Sequence, residues 1–351
     1  MSQLNEVTER HRFDIERLAA HLALHLPQFR GPLAVKQFQG GQSNPTYLLT
    51  TPSARYVMRS KPGPVAKLLP SAHAIEREFR VMRALRSEGI PVPDTLLLCE
   101  DETVVGRAFY LMQHVEGRIF WEQSLPGASN AERSAIYDEM NRVLAALHSV
   151  DIERAGLADF GRAGNYFARQ IGRWSKQYRA SETETVDAMD RLIDWLPQHI
   201  PPEAEGDAET TVVHGDYRMD NLIFHPTEPR IIAILDWELS TLGHPLADFS
   251  YHCMSWHIPP GAFRGIAGLD HKALGIPTEA EYIARYCERT RRESIGHWNF
   301  YLAYNLFRIA AILQGVYKRA TEGIASSDNA IKAGANAKTL GALGWEMAQR
   351  S

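Results

Sequence analysis

Apolar residues near the amino terminus recur with the period of a helix, and shorter apolar runs separated by turn residues follow them. Residues 15–26 carry an apolar stripe, which predicts a leading amphipathic helix within an N-terminal helical extension over residues 1–32. The stripe consists of Ile15, Leu18, Ala19, Leu22 and Leu26. Two strand-like runs at 47–50 and 56–59 flank the turn-rich Thr-Pro-Ser-Ala and predict a β-hairpin.

Between residues 71 and 89 apolar residues again recur with the spacing of a helix, and two further strand-like runs follow. Ser71 is the predicted N-cap of this helix, and Gly89, which two prolines follow closely, is predicted to end it. Strand-like runs return at 95–99 and 107–115. Residues 33–115 are therefore predicted to form a small, mostly β N-lobe with one inserted helix.

Helical spacing dominates the rest of the chain, so residues 116–351 are predicted to form a larger helical C-lobe. The main helical stretches are 131–150, 160–179 and 279–318, and the strand-like exceptions are 222–224 and 231–235, which predict a second hairpin. The segment 205–210, Glu-Gly-Asp-Ala-Glu-Thr, is expected to form a solvent-exposed acidic loop. Together these patterns predict the α+β fold class.

Composition and charge narrow the class of partner. The chain has 351 residues, more than one hydrophobic core usually spans, which agrees with two lobes. Its formal net charge of −4 disfavours a nucleic acid partner. The charged amino terminus has no apolar export segment, and no stretch approaches the ~18 apolar residues of a membrane span. The chain is thus expected to be cytoplasmic, with no membrane and no nucleic acid partner.

The cysteines agree with a reducing compartment. Cys99, Cys253 and Cys287 are odd in number and widely spaced, so neither a disulfide framework nor a cysteine zinc site is expected.

The stretch 212–221, VVHGDYRMDN, concentrates polar groups directly after a β-branched pair. The first strand of the second hairpin leaves Asn221 and its partner strand returns to Asp236, so both side chains are expected at the open end, facing Asp216. Carboxylate and carboxamide oxygens suit Mg²⁺, which prefers carboxylates together with substrate phosphates. Asp216 is then available to accept a proton from a substrate hydroxyl, because phosphoryl transfer depends on positioning and charge neutralisation. A lone His-x-Asp is more typical of a polar turn than of a site, but its combination with the hairpin favours a site.

HGDYRMDN followed by ILDWE resembles the catalytic loop and metal motif of the aminoglycoside phosphotransferase and choline kinase group. The resemblance covers about residues 33–325 and implies a protein-kinase-like two-lobe fold, with a small β-rich N-lobe and a larger helical C-lobe. It implies ATP and Mg²⁺ as cofactors. It assigns the catalytic base to Asp216, metal ligation to Asn221 and principally to Asp236, and a structural role to His214.

The glycine-rich stretch 38–49, FQGGQSNPTYLL, is by itself typical of a plain turn. Beside a kinase-like catalytic loop it resembles the nucleotide-covering loop of the family. Glycine lets backbone amides approach phosphate closely, and serine and asparagine can add donors. Gly41, Ser43 and Asn44 are therefore the predicted phosphate-binding residues of this loop.

The strand YVMR ends in Arg59, where kinases carry a lysine that pairs with the ATP phosphates and with a helix glutamate. Arginine also supplies a cation with a bidentate fork. Lys61 would share the face of Arg59 in an extended strand and is the alternative. Glu78 is the expected partner, and Glu76, about 200° around the helix, is its alternative.

The resemblance bears on four further residues. The segment 110–115, YLMQHV, is similar to the hinge whose backbone binds adenine, which assigns Gln113 and Val115 to the nucleotide site; a core edge strand is the other interpretation. Asp248 resembles a family aspartate that braces the catalytic loop. His244 stands where many relatives have aspartate, so a surface or capping histidine is expected there.

The acceptor is the least determined part of the prediction. Residues 304–323 carry a buried helical face at Leu306, Ile309, Ala310, Leu313 and Val316. Arg308 and Tyr317 are candidates for the acceptor pocket, although a core helix explains the pattern equally well. This helix and residues 59–81 resemble the subgroup of kinase-like domains that is also found fused to acyl-CoA dehydrogenases.

That subgroup implies an ATP-dependent kinase acting on a hydroxyl of a small molecule, with a hydroxyacyl or acyl-CoA-like acceptor. An aminoglycoside or choline-type kinase is the alternative, and a catalytically inactive nucleotide-binding protein is the alternative from another class. A metal-dependent hydrolase is disfavoured because the histidines lack a tight ligand spacing such as HExxH.

Overall fold

The computed structural model describes residues 4–39, 44–62, 74–322 and 328–351. Within these ranges the strands are β1 (Leu4–Asn5), β2 (Ala34–Phe38), β3 (Thr46–Thr50), β4 (Arg55–Ser60), β5 (Thr95–Cys99), β6 (Phe109–Gln113), β7 (Thr211–Val213), β8 (Leu222–Phe224), β9 (Ile231–Ile234) and β10 (Thr241–Gly243). The helices are α1 (Ile15–His25), α2 (Ile75–Ser87), α3 (Asn130–His148), α4 (Tyr166–Ser181), α5 (Asp187–Trp195), α6 (Pro245–Cys253), α7 (His271–Leu274), α8 (Glu279–Thr290), α9 (Trp298–Thr321) and α10 (Asp328–Gln349).

The chain divides into two compact units that are not continuous in sequence. The first comprises the described parts of Met1–Ile119 with Glu153–Phe160 and Asp220–Ser240. The second comprises Phe120–Ile152, Gly161–Met219 and the described parts of Thr241–Ser351. The predicted metal ligands therefore belong to the first unit, whereas the predicted base belongs to the second.

A six-stranded antiparallel sheet forms the frame of the first unit, in the order β1-β2-β3-β4-β6-β5. The predicted hairpin is β3 and β4, which places Arg59 opposite Thr46 on one neighbouring strand and opposite Tyr110 on the other. The predicted strands β5 and β6 are also present and pair with each other. The N-terminal extension is not wholly helical, because Leu4 and Asn5 pair with β2 as an edge strand that the charged terminus did not predict.

The core of the first unit forms where α1 meets the sheet. Leu18, Leu22 and Leu26 of the predicted apolar stripe are buried and share a cluster with sheet residues such as Leu49 and Phe109. Ile15, the first residue of the stripe, remains 39% exposed because it opens the helix. The helix α2 begins at Ile75, so the predicted cap Ser71 lies outside the described residues. It ends where predicted, with Gly89 in the left-handed conformation at φ +79°.

The second unit is built around α9, which packs against α4, α6 and α10. The predicted face of α9 is buried at Leu306, Ile309, Ala310 and Leu313, whereas Val316 is only half-buried. The pattern analysis did not predict α10, whose glycines lower its helix propensity. At Gly334 an added Cβ would lie 2.4 Å from the Cβ of Tyr317, so this glycine permits close contact between α9 and α10.

Two further observations concern the helices and the cysteines. Among the helices in the described ranges, none combines the length and apolar character needed to cross a membrane. Cys99, Cys253 and Cys287 are all buried free thiols.

Candidate active site

The hairpin of β8 and β9 brings Asn221 next to Asp236, as the sequence predicts. Leu222 pairs with Ile234, and the Leu235 amide donates to the Asn221 carbonyl at 2.8 Å. Asp236 follows in the left-handed conformation, with φ 67°, which aspartate tolerates better than most residues. Its side chain is 33% exposed, so a carboxylate oxygen can reach a cation.

Arg59 lies at the centre of a cluster of acids in the first unit. Its Nη2 lies 3.0 Å from Asp236 Oδ1 and 3.0 Å from Glu238 Oε2, and its Nε lies 3.2 Å from Glu78 Oε2. Burial alone would lower the pKa of Arg59. The nearby carboxylates of Glu78 and Asp236 have the larger combined effect, so the pKa of Arg59 is raised. Arg59 therefore stays cationic and links the helix acid to the hairpin acid.

Glu78 receives two neutral donors in addition to Arg59. The Asn44 amide donates to Oε1 at 2.9 Å, and the Tyr110 hydroxyl donates to Oε2 at 3.0 Å. Glu78 is only 2% exposed, so these donors satisfy a carboxylate that water does not reach. The alternative cation Lys61 pairs instead with Glu76 on the partly exposed side of α2. The two candidate cations therefore each pair with a different acid of α2: Arg59 with Glu78, and Lys61 with Glu76.

The predicted nucleotide-covering loop lies partly outside the described residues. Gly41 and Ser43 lie outside the described residues. Asn44 is fully buried and its amide donates to Glu78, which corrects the expectation that this side chain binds phosphate: its donor is committed within the core. Asn44 is better described as a residue that positions Glu78.

The predicted hinge lies at the end of β6. The Gln113 amide donates to the Asp94 carbonyl at 2.8 Å, so this N–H is used within the protein, and an adenine contact through the rest of the Gln113 backbone stays a prediction. Val115 follows the strand in irregular, half-buried backbone. An adenine contact at Val115 stays a prediction.

In the second unit, β7 delivers the loop that carries Asp216. Asp248 of α6 accepts hydrogen bonds from the backbone amides of His214 and Gly215, the second at 2.7 Å. The Asp216 amide donates to His214 Nδ1 at 3.1 Å. Burial opposes the charge of Asp248, but the hydrogen bond with His148 and the Gly215 amide help to lower its pKa. A charged, buried aspartate therefore fixes the backbone of this loop.

Arg308 also supports the loop, from α9. It is 5% exposed and donates to the Gly215 carbonyl, while its guanidinium carbon lies 5.2 Å from the centre of the Tyr251 ring. Arg308 thus supports the loop through one guanidinium N–H, and its contact with the acceptor stays a prediction. Tyr317, the second acceptor candidate, packs against Gly334 of α10, two and a half helical turns beyond Arg308.

Asp216 itself is contacted on both carboxylate oxygens. The Tyr251 hydroxyl donates to Oδ1 at 2.5 Å, and Arg218 Nε lies 2.9 Å from Oδ2. Burial raises the pKa of Tyr251, and the charge of Asp216 raises it further, so the phenol remains a donor. Neither partner was predicted from the sequence. Arg218 stands in the quoted motif two residues after Asp216, whereas Tyr251 lies on α6 and carries no local signal.

Removing the phenol of Tyr251 tests its contact with Asp216. Tyr251→Phe removes the hydroxyl and keeps the ring over which Arg308 lies. If Asp216 is the base that the sequence predicts, kcat for the predicted phosphate transfer should fall about tenfold or more, the range for losing one hydrogen bond to a charged group. The KM for the predicted nucleotide should not change. Tyr178→Phe, at another buried tyrosine of the second unit, is the control and should keep the wild-type kcat. A Tyr251→Phe variant with normal kcat would show that the hydroxyl does not orient Asp216.

An ion-pair cluster anchors the start of α6. His244 caps this helix by accepting from the Leu246 amide at 3.2 Å, and it is buried, so the capping interpretation is confirmed and the surface interpretation is wrong. Its Nε2 lies 3.1 Å from Glu209 Oε2, and Arg292 donates to both oxygens of Glu209 at 2.8 Å. Residues 205–208 are exposed as expected, but Glu209 is half-buried and paired.

Glu209 should make the stability of this unit depend on acid pH. The His244 hydrogen bond and the two Arg292 contacts lower the pKa of Glu209 from 4.5 to about 2. The folded state therefore favours the carboxylate, and this contribution is complete above pH 4.5 and is lost as the pH falls toward 2. We expect Glu209→Gln to lower the melting temperature at pH 7, with the difference from wild type shrinking between pH 4.5 and 2. Circular dichroism melts across this range measure it, and a pH-independent difference would contradict the assignment.

A small pocket lies beside Asp216 in the second unit. Arg218 and Tyr251, which both contact Asp216, form part of its wall. Most of the remaining wall is apolar or aromatic, and it includes Tyr217, Met254 and Ile258. Its free volume of about 10 Å³ has room for a group no larger than a water molecule.

Comparison with known proteins agrees with this geometry. The phosphotransferase enzyme family matches residues 34–291. Acyl-CoA dehydrogenase family member 10 of mouse is 49% identical over 322 residues, which cover 91% of this chain and 30% of that protein. Acyl-CoA dehydrogenase family member 11 of human is 41% identical over 355 residues, which cover 100% of this chain and 45% of that protein. The chain thus spans less than half the length of these curated relatives.

Solved structures give the same assignment of fold. A crystal structure from Ralstonia eutropha, named as a candidate aminoglycoside phosphotransferase, is 61% identical, covers 97% of this chain and 99% of that chain, and has a TM-score of 0.89. Spectinomycin phosphotransferase, solved with ADP and spectinomycin, is 14% identical, covers 96% and 99% of the two chains, and has a TM-score of 0.62, which shows the fold alone. The predicted α+β, protein-kinase-like two-lobe fold is confirmed, as is the resemblance to the kinase-like domains of acyl-CoA dehydrogenase relatives.

Proposed function

Because this chain belongs to the phosphotransferase enzyme family, we propose that it is an ATP-dependent kinase that phosphorylates a hydroxyl group of a small molecule. The observation that carries the proposal is the position of Arg59, a buried cation paired with Glu78 of α2 and with Asp236 of the hairpin. A guanidinium that pairs both with Glu78 and with the predicted metal ligand Asp236 is positioned to hold phosphate groups beside a metal ion.

Asn221 and Asp236 would hold Mg²⁺. Within the described residues no group of three or more histidine, cysteine, aspartate or glutamate side chains is arranged to bind a metal ion. A carboxylate and a carboxamide fit Mg²⁺ because this ion takes few protein ligands and completes its shell with water and phosphate oxygens. When bound, Mg²⁺ supplies neutralisation of phosphate charge. Arg59 would share that work, since its guanidinium can contact two phosphate oxygens at once.

Asp216 would orient the acceptor hydroxyl and take its proton. The hydroxyl oxygen forms a new bond to the γ-phosphorus, the bond from that phosphorus to the β,γ-bridging oxygen breaks, and ADP leaves. The hydroxyl proton passes to Asp216. Tyr251 and Arg218 contact the carboxylate from two sides, and Asp248 and Arg308 hold the loop backbone, so the carboxylate is positioned before the acceptor arrives.

For the acceptor we propose a hydroxyacyl or acyl-CoA-like molecule, because the curated relatives carry acyl-CoA dehydrogenase names. An aminoglycoside is the second candidate, which the name of the Ralstonia eutropha structure favours. A protein that binds nucleotide without catalysis is the candidate of another class. The presence of Asp216, Asn221 and Asp236 together argues against it, since a site without a reaction to perform has no need of all three.

Incubation of the purified chain with Mg-ATP and a panel of alcohols tests the proposal. The panel contains hydroxyacyl-CoAs, choline, sugars and aminoglycosides, with ADP release and product mass as readouts. Acceptor-dependent ADP release with a phosphorylated product supports the kinase. Tight binding of Mg-ATP without ADP release or product for any acceptor would instead support the inactive nucleotide-binding protein.

A further inference from the structure

Arginines of α2 tie this helix to residues 153–160, a segment that follows α3 in sequence but belongs to the first unit. Arg77 donates to the Phe160 carbonyl at 2.5 Å, and Arg80 donates to the Gly156 carbonyl at 2.8 Å. Phe160 is fully buried, so the segment is also anchored by its own side chain. The position of α2 therefore depends on this segment as well as on the sheet.

The guanidinium of Arg77 also reaches a second segment of the first unit. Its Nη2 lies 3.5 Å from the Ser240 carbonyl oxygen, and its guanidinium carbon lies 4.2 Å from the centre of the Phe160 ring. Ser240 ends a turn that Asp236 begins, residues 236–240, here named the Asp236 turn. The Ser240 amide and hydroxyl both donate to the Trp237 carbonyl, at 3.0 and 2.6 Å, which closes this turn. Arg77 thus contacts the turn that carries a predicted metal ligand.

Two neighbouring residues of α2 connect the helix to both ends of the Asp236 turn. Glu78, about 100° around the helix from Arg77, pairs with Arg59, and Arg59 pairs with Asp236 at the start of the turn. Arg77 contacts Ser240 at its end. Because both connections leave from the same helical turn of α2, a shift of this helix would change both of them together.

The partners of Arg77 differ in kind from those of Arg80, three residues along the same helix. In the described part of the chain, Arg77 contacts two backbone carbonyls and an aromatic ring, and the planar guanidinium matches the fixed direction of such carbonyls. Arg80 pairs with Asp159, whose side chain is 77% exposed, and a pair so open to water contributes little. The two arginines therefore form a matched pair for an experiment.

We propose that Arg77 is a positioning residue of the nucleotide site, which fixes α2 against the Asp236 turn so that Glu78 holds Arg59 beside Asp236. The inference rests on the proposed kinase function and adds a residue that acts through Glu78 and Arg59. All of these residues belong to the first unit, whereas Asp216 belongs to the second. Loss of the Arg77 contacts should therefore change the affinity for Mg-ATP and leave the affinity for the acceptor unchanged.

Arg77→Met tests the proposal, with Arg80→Met as the matched control. Arg77 is exposed overall, so its replacement leaves no buried cavity and the variant should fold. By calorimetric titration we expect the Kd for Mg-ATP to rise about 10-fold to 100-fold in Arg77→Met, the range for a hydrogen bond to a charged group, and to stay unchanged in Arg80→Met. Arg77→Lys retains a cation that can reach one carbonyl and should recover part of the affinity.

Two further measurements distinguish positioning from a general loss of structure. With a responsive acceptor, the KM for Mg-ATP should rise in Arg77→Met while the KM for the acceptor stays at the wild-type value. In protein without nucleotide, hydrogen exchange of residues 236–240 should be faster in Arg77→Met than in wild type or Arg80→Met, because the Ser240 end of the turn has lost its contact.

The outcomes separate failure of this inference from failure of the proposed function. If the wild type does not bind Mg-ATP, the proposed kinase function fails, and the role of Arg77 in nucleotide binding fails with it. If the wild type binds Mg-ATP and Arg77→Met binds it equally well, the kinase stands and the inference is overturned. An equal loss of affinity in Arg80→Met, or a lower melting temperature of Arg77→Met with an unchanged Kd, would likewise overturn it and assign Arg77 to the stability of the fold.

Discussion

Replacing Asp216 with asparagine is expected to lower kcat for phosphate transfer by about 10² to 10⁴, the usual contribution of a positioned general base. The carboxamide oxygen can still accept from Tyr251, but it cannot take the hydroxyl proton. In the wild type, Arg218 Nε lies 2.9 Å from Asp216 Oδ2, so the variant also replaces a charged carboxylate with a neutral amide beside this guanidinium. Mg-ATP binding should persist, because Arg59, Asn221 and Asp236 are unchanged. Steady-state kinetics with a responsive acceptor, together with calorimetric titration of Mg-ATP, measure both effects.

Asp220 provides the matched control for this variant. It stands in the same motif, and we predict that it only stabilises the loop, so Asp220→Asn should retain most of kcat. Thermal unfolding of both variants shows whether either has lost its fold. An Asp216→Asn enzyme with the wild-type rate would remove Asp216 from the role of base. Equal losses in the two variants would assign the effect to the structure of the loop.

The sequence predicts those parts of the site that local pattern determines. The hairpin that joins Asn221 to Asp236 follows from two short β-branched runs around a proline-rich turn, because antiparallel pairing fixes which ends meet. Glu78 shares the buried face of α2 with Ile75 and Met82, three and four residues away, so the helical period explains why it faces the sheet. Alternation along β4 could not separate Arg59 from Lys61. The strand ends at Ser60, and Lys61 lies beyond it.

Contacts between elements distant in sequence could not be predicted in the same way. Tyr251 reaches Asp216 only because α6 packs beside β7, and no spacing in either segment encodes that contact. Helical spacing leaves Arg308 open to either an acceptor contact or a structural role, and only the packing of α9 shows that it donates to the Gly215 carbonyl. The helix α10 was missed because alanine and glycine give it a weak apolar stripe, and close packing at Gly334 replaces large side chains. Pattern therefore identifies elements and motifs, while the residues that position a motif depend on tertiary packing.

Arg59 and Lys61 are close in sequence, but the pairing of Arg59 with Glu78 predicts that replacing each with alanine has very different effects on stability. Arg59→Ala leaves Glu78, at 2% exposed, as a buried acid without its cation, so we expect a loss of about 3–5 kcal/mol in the stability of the first unit. Lys61→Ala breaks a pair whose side chains are 36% and 29% exposed, for which we expect about 0–1 kcal/mol. Hydrogen exchange of the β4 and α2 amides in urea measures both.

The same two variants decide which cation serves the nucleotide. Arg59→Ala should abolish measurable Mg-ATP binding, whereas Lys61→Ala should bind nearly as wild type does, because Arg59 contacts Asp236 and Lys61 pairs instead with Glu76. Combining Arg59→Met with Glu78→Leu separates the two roles of the pair: stability should largely return, since no buried charge remains unpaired, while Mg-ATP binding stays lost. Retained binding in that double variant would show that the cluster is structural only. Loss of binding in Lys61→Ala alone would transfer the phosphate contact to Lys61.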